Sequence, residues 1–220
     1  MMRKVLCTHD NATRTMTTMI PEASPATPAV WLPPLLIVLV SAALEFGGIT
    51  VSEALRYDRT AVDGGQWWRL LTGNFVHLSW WHWLLNALSI GLLVLLCPER
   101  ASLSSWLGRL IVIGVGMSLC LHGFTPRLSY YVGLSGLVYG LFALGFVRQI
   151  VAGDRFAIAC LAFIAARIVW ELIIGAPASE VELIGGAVVA ESHLYGVFSA
   201  IAYGIATGLF RRPPAASTAP

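Results

Sequence analysis

The chain has 220 residues, 57% of them hydrophobic and 12% charged, with a formal net charge of +2. Soluble domains carry roughly 25% charged residues, so about half the usual charge is missing, and mean hydropathy is high at +0.74. This excludes a soluble globular domain, a chain disordered along its whole length and, with Lys4 the single lysine, a nucleic-acid binder.

Cys7, Cys97, Cys120 and Cys160 form no CxxC pair, and three of them lie in apolar runs, which argues against both a disulfide framework and a zinc ribbon. The composition is that of an all-α integral membrane protein. Six runs come close to the roughly 20 mostly apolar residues that a spanning helix requires. The first covers about Trp31 to Ile49, broken by Glu45. The second lies within Leu70 to Pro98, a stretch without Asp, Glu, Lys or Arg, and its helix is expected from about Ser79. The third spans about Leu103 to Phe124 with Arg109 near its start, and the fourth, Leu128 to Val147, is bracketed by Arg127 and Arg148. The fifth runs from about Phe156 to Gly175 and carries Arg167 and Glu171. The sixth covers about Gly185 to Phe210 and stops at Arg211-Arg212-Pro213-Pro214. Residues 1–30 are polar, Thr- and Pro-rich and lack the apolar region of a signal peptide. They are expected to form a disordered tail, 31–212 the membrane domain and 213–220 a second disordered tail.

Orientation follows from Lys and Arg in the flanking segments. With the N-terminus inside, the inner segments hold Arg3, Lys4, Arg14, Arg100, Arg109, Arg148, Arg155, Arg211 and Arg212, against Arg56, Arg59, Arg69 and Arg127 outside. Both termini are therefore expected in the cytoplasm. The second, fourth and sixth spans then all enter the bilayer from the opposite side, so their early residues share one depth.

Polar residues gather at that depth. His82 and Asn86 are four apart in the second span, as are Ser135 and Tyr139 in the fourth, and each pair shares a helical face. Read as helix from Arg127, Ser135 lies ~10 Å in, and His193 lies at a similar depth after Gly185. Gly196, Ala200, Gly204 and Gly208 form a small-residue stripe in the sixth span that can seat against Gly136 and Gly140 of the fourth. That contact carries the His193 imidazole towards the Ser135 hydroxyl. A serine becomes a competent nucleophile when a base within about 2.6–3.2 Å takes its proton, and His193 fits that role and that of the later acid. Asn86, His82 and the Ser135 backbone N–H are candidate donors to the oxyanion. No carboxylate is evidently placed to orient His193, so a Ser-His dyad is expected, with Tyr139 stacking on the imidazole. A charge within a span costs ~2.5–3.5 kcal/mol on insertion scales, so Arg167 and Glu171, four apart, are expected to pair with each other.

His82-x-x-x-Asn86, Gly133-x-Ser135-Gly136 and His193-x-x-Gly196, on alternate spans in this order, resemble a rhomboid intramembrane serine protease. Trp68-Arg69 in the first outer loop, His77, Tyr139 and Glu99-Arg100 extend the likeness over residues 31–212. The resemblance implies a six-transmembrane-helix bundle with a membrane-dipping first outer loop. It assigns Ser135 and His193 as catalytic, His82 and Asn86 to the transition state, and Tyr139, Gly133, Gly136, Gly196, Trp68 and Arg69 as supporting residues. Leu71 to Leu78, Tyr131 to Gly136 and an acidic fifth span bring the chain close to the rhombosortase subgroup. That implies cleavage of a C-terminal anchor from an exported protein at the bacterial inner membrane, with the site open to the periplasm. Two positions depart from the pattern: Gly73, where some members have histidine, and Ser192, where alanine is common. The partners implied are a single-span membrane-anchored protein substrate and the lipid bilayer.

Other readings stay open at this level: a general rhomboid protease with another substrate, a non-catalytic rhomboid-like adaptor that binds helices, or a small transporter using the histidines. No HExxH or paired-carboxylate motif is present, so neither a metal nor another cofactor is expected.

Overall fold

The computed structural model describes residues 28–211. The two expected disordered tails fall outside the described residues, apart from 28–30, which already belong to the first helix. In chain order the elements are α1 (Pro28–Phe46), α2 (Gly48–Leu55), β1 (Tyr57–Asp58), α3 (Arg59–Asp63), α4 (Arg69–Thr72) and α5 (Trp80–Leu96). They continue with α6 (Leu103–Phe124), β2 (Tyr130–Tyr131), α7 (Ser135–Ala152), α8 (Phe156–Ile173), α9 (Ala178–Ile184) and α10 (Ala190–Ala206). Six long helices, α1, α5, α6, α7, α8 and α10, occupy the six apolar runs and make an all-α membrane bundle. By length and hydropathy α6, α7 and α8 each suffice to cross a membrane. α5 and α10, at 17 residues each, sit at the short end of the ~17–25 that span a bilayer.

α1 does not run on to Ile49. At Gly47-Gly48 the chain bends by 116° into α2, a turn that uses the positive φ of +62° at Gly48. The outer segment that follows is a set of short helices tied down by half-buried cations. Arg69 donates to the Glu53 and Arg56 carbonyls, both at 2.8 Å, and to Gln66 Oε1 at 2.7 Å. Arg59 reaches across to α6 and donates to the carbonyls of Leu121, His122, Thr125 and Leu128. It thereby clamps the carbonyl end of α6 and the turn that follows it. Trp67, Trp68, Trp80 and Trp81 are exposed around this segment, as an interfacial belt requires.

Two expected helix starts are corrected. The fourth span does not begin at Leu128: residues 128–134 are non-helical, because Tyr130 and Tyr131 pair antiparallel with Asp58 and Tyr57. Gly133, at φ +122°, then turns the chain into α7, and its N–H donates to the Gly73 carbonyl at 3.1 Å. The sixth span likewise starts at Ala190 and not at Gly185, because residues 185–189 form the loop that links α9 to α10.

The bundle closes around α7. Gly136 and Gly140 of α7 face Ser192 and Gly196 of α10 so closely that a Cβ on Gly140 would stand 2.5 Å from the Gly196 carbonyl oxygen. Ala200 is fully buried one turn on. The rest of the expected stripe does different work: Gly204 packs under the Phe210 ring, and Gly208 lies past the end of α10 with φ +70°. At the end of the bundle away from Ser135, Glu99 receives both Arg109 nitrogens, at 2.6 and 2.9 Å, and pairs with Arg148 of α7. That cluster ties the α5–α6 connection to the central helix.

Candidate active site

Ser135 is the first residue of α7 and His193 stands in the first turn of α10. Both side chains therefore sit at helix N-termini that open on one cavity of about 470 Å³. His82, Asn86, Ser135, Tyr139 and His193 all line it. The packing that brings them together is the glycine seam: where α7 and α10 backbones nearly touch, a serine and a histidine at the top of that seam meet at 3.0 Å, Oγ to Nε2.

The proton positions follow from the partners. His193 Nδ1 lies 2.6 Å from Glu171 Oε2. A carboxylate accepts and does not donate, so Nδ1 carries the hydrogen and Nε2 is left as a lone pair. The Ser135 O–H then donates to Nε2, the arrangement a general base needs. The imidazole is fixed on its face as well, stacked on Tyr139 with ring centroids 4.2 Å apart and planes 9° from parallel. His193 is 4% exposed and Glu171 4% exposed, so this chain of bonds is screened from bulk water.

On the other side of Ser135, the Leu78 N–H approaches His82 Nδ1 at 3.4 Å, which leaves the proton on Nε2. That nitrogen faces Gly133: a Cβ there would fall 2.8 Å from it. His77 packs edge-to-face on His82 at 5.1 Å and buttresses the ring. Asn86 spends one amide hydrogen on the His82 carbonyl at 3.1 Å and keeps the other for the cavity. The first N–H groups of α7 have no carbonyl within the helix to bond, and they carry the positive end of its dipole. The site therefore offers backbone and side-chain donors beside the serine.

Of the residues expected to support the site, Tyr139, Gly133, Gly136 and Gly196 are brought to it. Trp68 and Arg69 are not. Trp68 is exposed on the outer segment and Arg69 braces that segment from within. The expected dyad left no carboxylate beside His193, and there the structure differs: Glu171 reaches the imidazole from α8 while also lying 2.8 Å from Arg167. The expected Arg167–Glu171 pair exists, but it is one half of what Glu171 does. Arg167 has a second partner too, Glu180 of α9 at 2.5 Å. Tyr131 also escaped the sequence reading as a site residue. Buried, it donates to the Gly133 carbonyl at 2.8 Å and its oxygen lies among Ser135, Ser192 and the Gly136 backbone. The sequence did carry a signal for Glu171: it is the sole acid in α8, an otherwise strongly apolar helix.

Among known families, the one described as Rhomboid domain matches residues 64–210. No curated protein matches the chain.

Proposed function

The chain belongs to the rhomboid family, which comprises intramembrane serine proteases acting on membrane-protein substrates together with some inactive members, and we propose that it is an active serine endopeptidase of a single-span protein anchor. The observation that carries this is the 3.0 Å contact between Ser135 Oγ and His193 Nε2 inside a cavity large enough for a peptide segment. In the first step Oγ bonds to the scissile carbonyl carbon, its proton passes to Nε2, and the carbonyl π electrons move to oxygen. His82, Asn86 and the start of α7 are the donors to that oxyanion. As the C–N bond breaks, Nε2 returns the proton to the leaving amine. Water then attacks the acyl ester by the same route, with His193 again as base, and frees Ser135.

The finer reading is rhombosortase-type removal of a C-terminal anchor from an exported bacterial protein. In this reading the protein sits in the inner membrane with both termini cytoplasmic and the cavity open to the periplasm. Its support is the Tyr131 to Gly136 segment, which in this fold builds the turn in front of the nucleophile.

The test is co-expression with single-span exported proteins, mapping of any new terminus, and labelling by a fluorophosphonate. Ser135→Ala and His193→Ala are expected to abolish cleavage while the protein still inserts. His82→Ala and Asn86→Ala should each lower kcat by on the order of 10²–10³. Undiminished turnover by Ser135→Ala would refute the reading.

A further inference from the structure

Glu171 is placed against the grain of its helix. In α8 Ala157, Ile168 and Glu171 are the buried residues, and the helix otherwise shows large apolar side chains such as Phe163, Trp170 and Ile173 outward. The one acid in that apolar helix is turned inward and almost sealed. If it served only to neutralise Arg167, burial would be a costly way to do so, since Glu180 already holds the same guanidinium at 2.5 Å. Its two oxygens instead divide their work: Oε2 meets His193 Nδ1 at 2.6 Å, and Oε1 faces Arg167 at 2.8 Å.

We propose that Glu171 is the positioning residue of this site, which makes the catalytic apparatus a Ser-His-Glu triad drawn from α7, α10 and α8. The proposal rests on the Ser135–His193 reading above and deepens it. Glu171 accepts the Nδ1 hydrogen and so selects the tautomer whose Nε2 lone pair faces Ser135. When the serine proton arrives at Nε2, the imidazolium finds a negative charge already in contact at Nδ1. The proton stays on the ring and Glu171 remains a carboxylate throughout. Arg167 lies against the second carboxylate oxygen as an ion pair at 2.8 Å, and its charge opposes a swing of that oxygen away from the site. Tyr139 sets the plane of the ring and Glu171 sets its rotation within that plane.

The experiment uses the full-length protein in proteoliposomes with a fluorogenic single-span substrate. It reads kcat and KM separately and the rate of fluorophosphonate labelling. Glu171→Gln is expected to lower kcat by up to about 10⁴, the size of the loss when the acid of a serine triad is replaced by its amide, with KM changed by less than about threefold. Labelling should slow in parallel. Arg167→Gln, which leaves the carboxylate in place, should stay within about tenfold of wild type.

The doubly neutral Arg167→Gln/Glu171→Gln protein separates the two roles. A group needed only to neutralise arginine becomes dispensable once the arginine is gone, so recovered kcat in the double variant would overturn the proposal. The triad requires it to be as slow as Glu171→Gln alone. This variant buries no unpaired charge, so it keeps the test available where Glu171→Gln fails to insert. Wild-type kcat in Glu171→Gln, with Ser135→Ala inactive, would overturn the role of Glu171 and leave the serine–histidine reading intact. Turnover by Ser135→Ala would remove the reading beneath both.

Discussion

The α7–α10 seam and the α8–α9 flank lie on opposite sides of the same histidine and are held by different forces. Along the seam, 50% of α7 is buried inside the bundle; along the flank, 17% of α8 is. Lipid tails are as apolar as leucine, so no hydrophobic gain drives two helices together within a bilayer. The seam answers with close approach, glycine backbone against glycine backbone. The flank answers with polar bonds: Glu171 to His193, and Arg167 to Glu180. The proposed nucleophile and base thus stand on the tightly packed side, while the carboxylate proposed to orient the base is delivered by a helix that keeps most of its surface outside the bundle. Rigidity where the proton is shared, and polar anchoring where the ring is steered, is the division of labour the fold implies.

The strongest way to break this contrast is to insert one methyl into the seam. In Gly196→Ala the new Cβ would fall inside the van der Waals envelope of the Gly136 carbonyl oxygen. Backbone cannot yield as a flexible side chain does, so α10 must move away, and His193 rides on the same helix three residues earlier. A displacement of about 1 Å is enough to cost ~10²-fold in rate, and overpacking of this kind costs about 1–3 kcal/mol of stability. Gly196→Ala is therefore expected to lose at least ~10² in kcat and to melt earlier. Gly91→Ala on α5, where a Cβ meets open space, is the matched control and should turn over as wild type does and melt no earlier. Equal behaviour of the two variants would show that the seam does not set the Ser135–His193 distance.

Most of this seam was legible in the sequence. Ser135, His193, Gly136, Gly140 and Gly196 declare themselves through spacing, because one helix turn is a local property and a small-residue stripe survives in any register. The helix starts were not legible. Leu128 to Leu134 is as apolar as a span, and composition alone does not separate helix from a buried extended segment. What decides is Tyr131 finding Tyr57, more than seventy positions earlier, and Gly133 needing φ +122°. Glu171 was hidden for a related reason. Its spacing from Arg167 is local and was read correctly, whereas its contact with His193 depends on the rotation of α8 about its axis, which only tertiary packing defines. Arg59 and Arg69 likewise look like outer-loop charges until the carbonyls they cap are seen.

A smaller effect sharpens the view of the oxyanion side. Gly133 combines a left-handed φ with close approach: its Cβ would lie 2.7 Å from His82 Cε1. Gly133→Ala must carry backbone strain of roughly 1–3 kcal/mol and also push the His82 ring from the turn that leads into Ser135. The expected loss is about 10–10² in kcat, less than at Gly196, because the Ser135–His193 bond is left in place and a donor is displaced rather than the base. Fluorophosphonate labelling of Ser135 should fall with kcat. Labelling at the wild-type rate would mean that His82 does not serve the oxyanion.

The least expected effect tests the flank from its outer side. Phe163 on α8 is 73% exposed, so in the bilayer its ring meets lipid, and alanine exchanges one apolar surface for another. With no cavity left behind, neither of the terms that make buried Phe→Ala costly is present. Phe163→Ala is expected to change stability by no more than about 0.5 kcal/mol and to leave kcat unaltered, as measured by melting and turnover in proteoliposomes. A marked loss of activity would mean that α8 is steered by what covers its lipid face, and that Glu171 and Arg167 do not anchor it unaided.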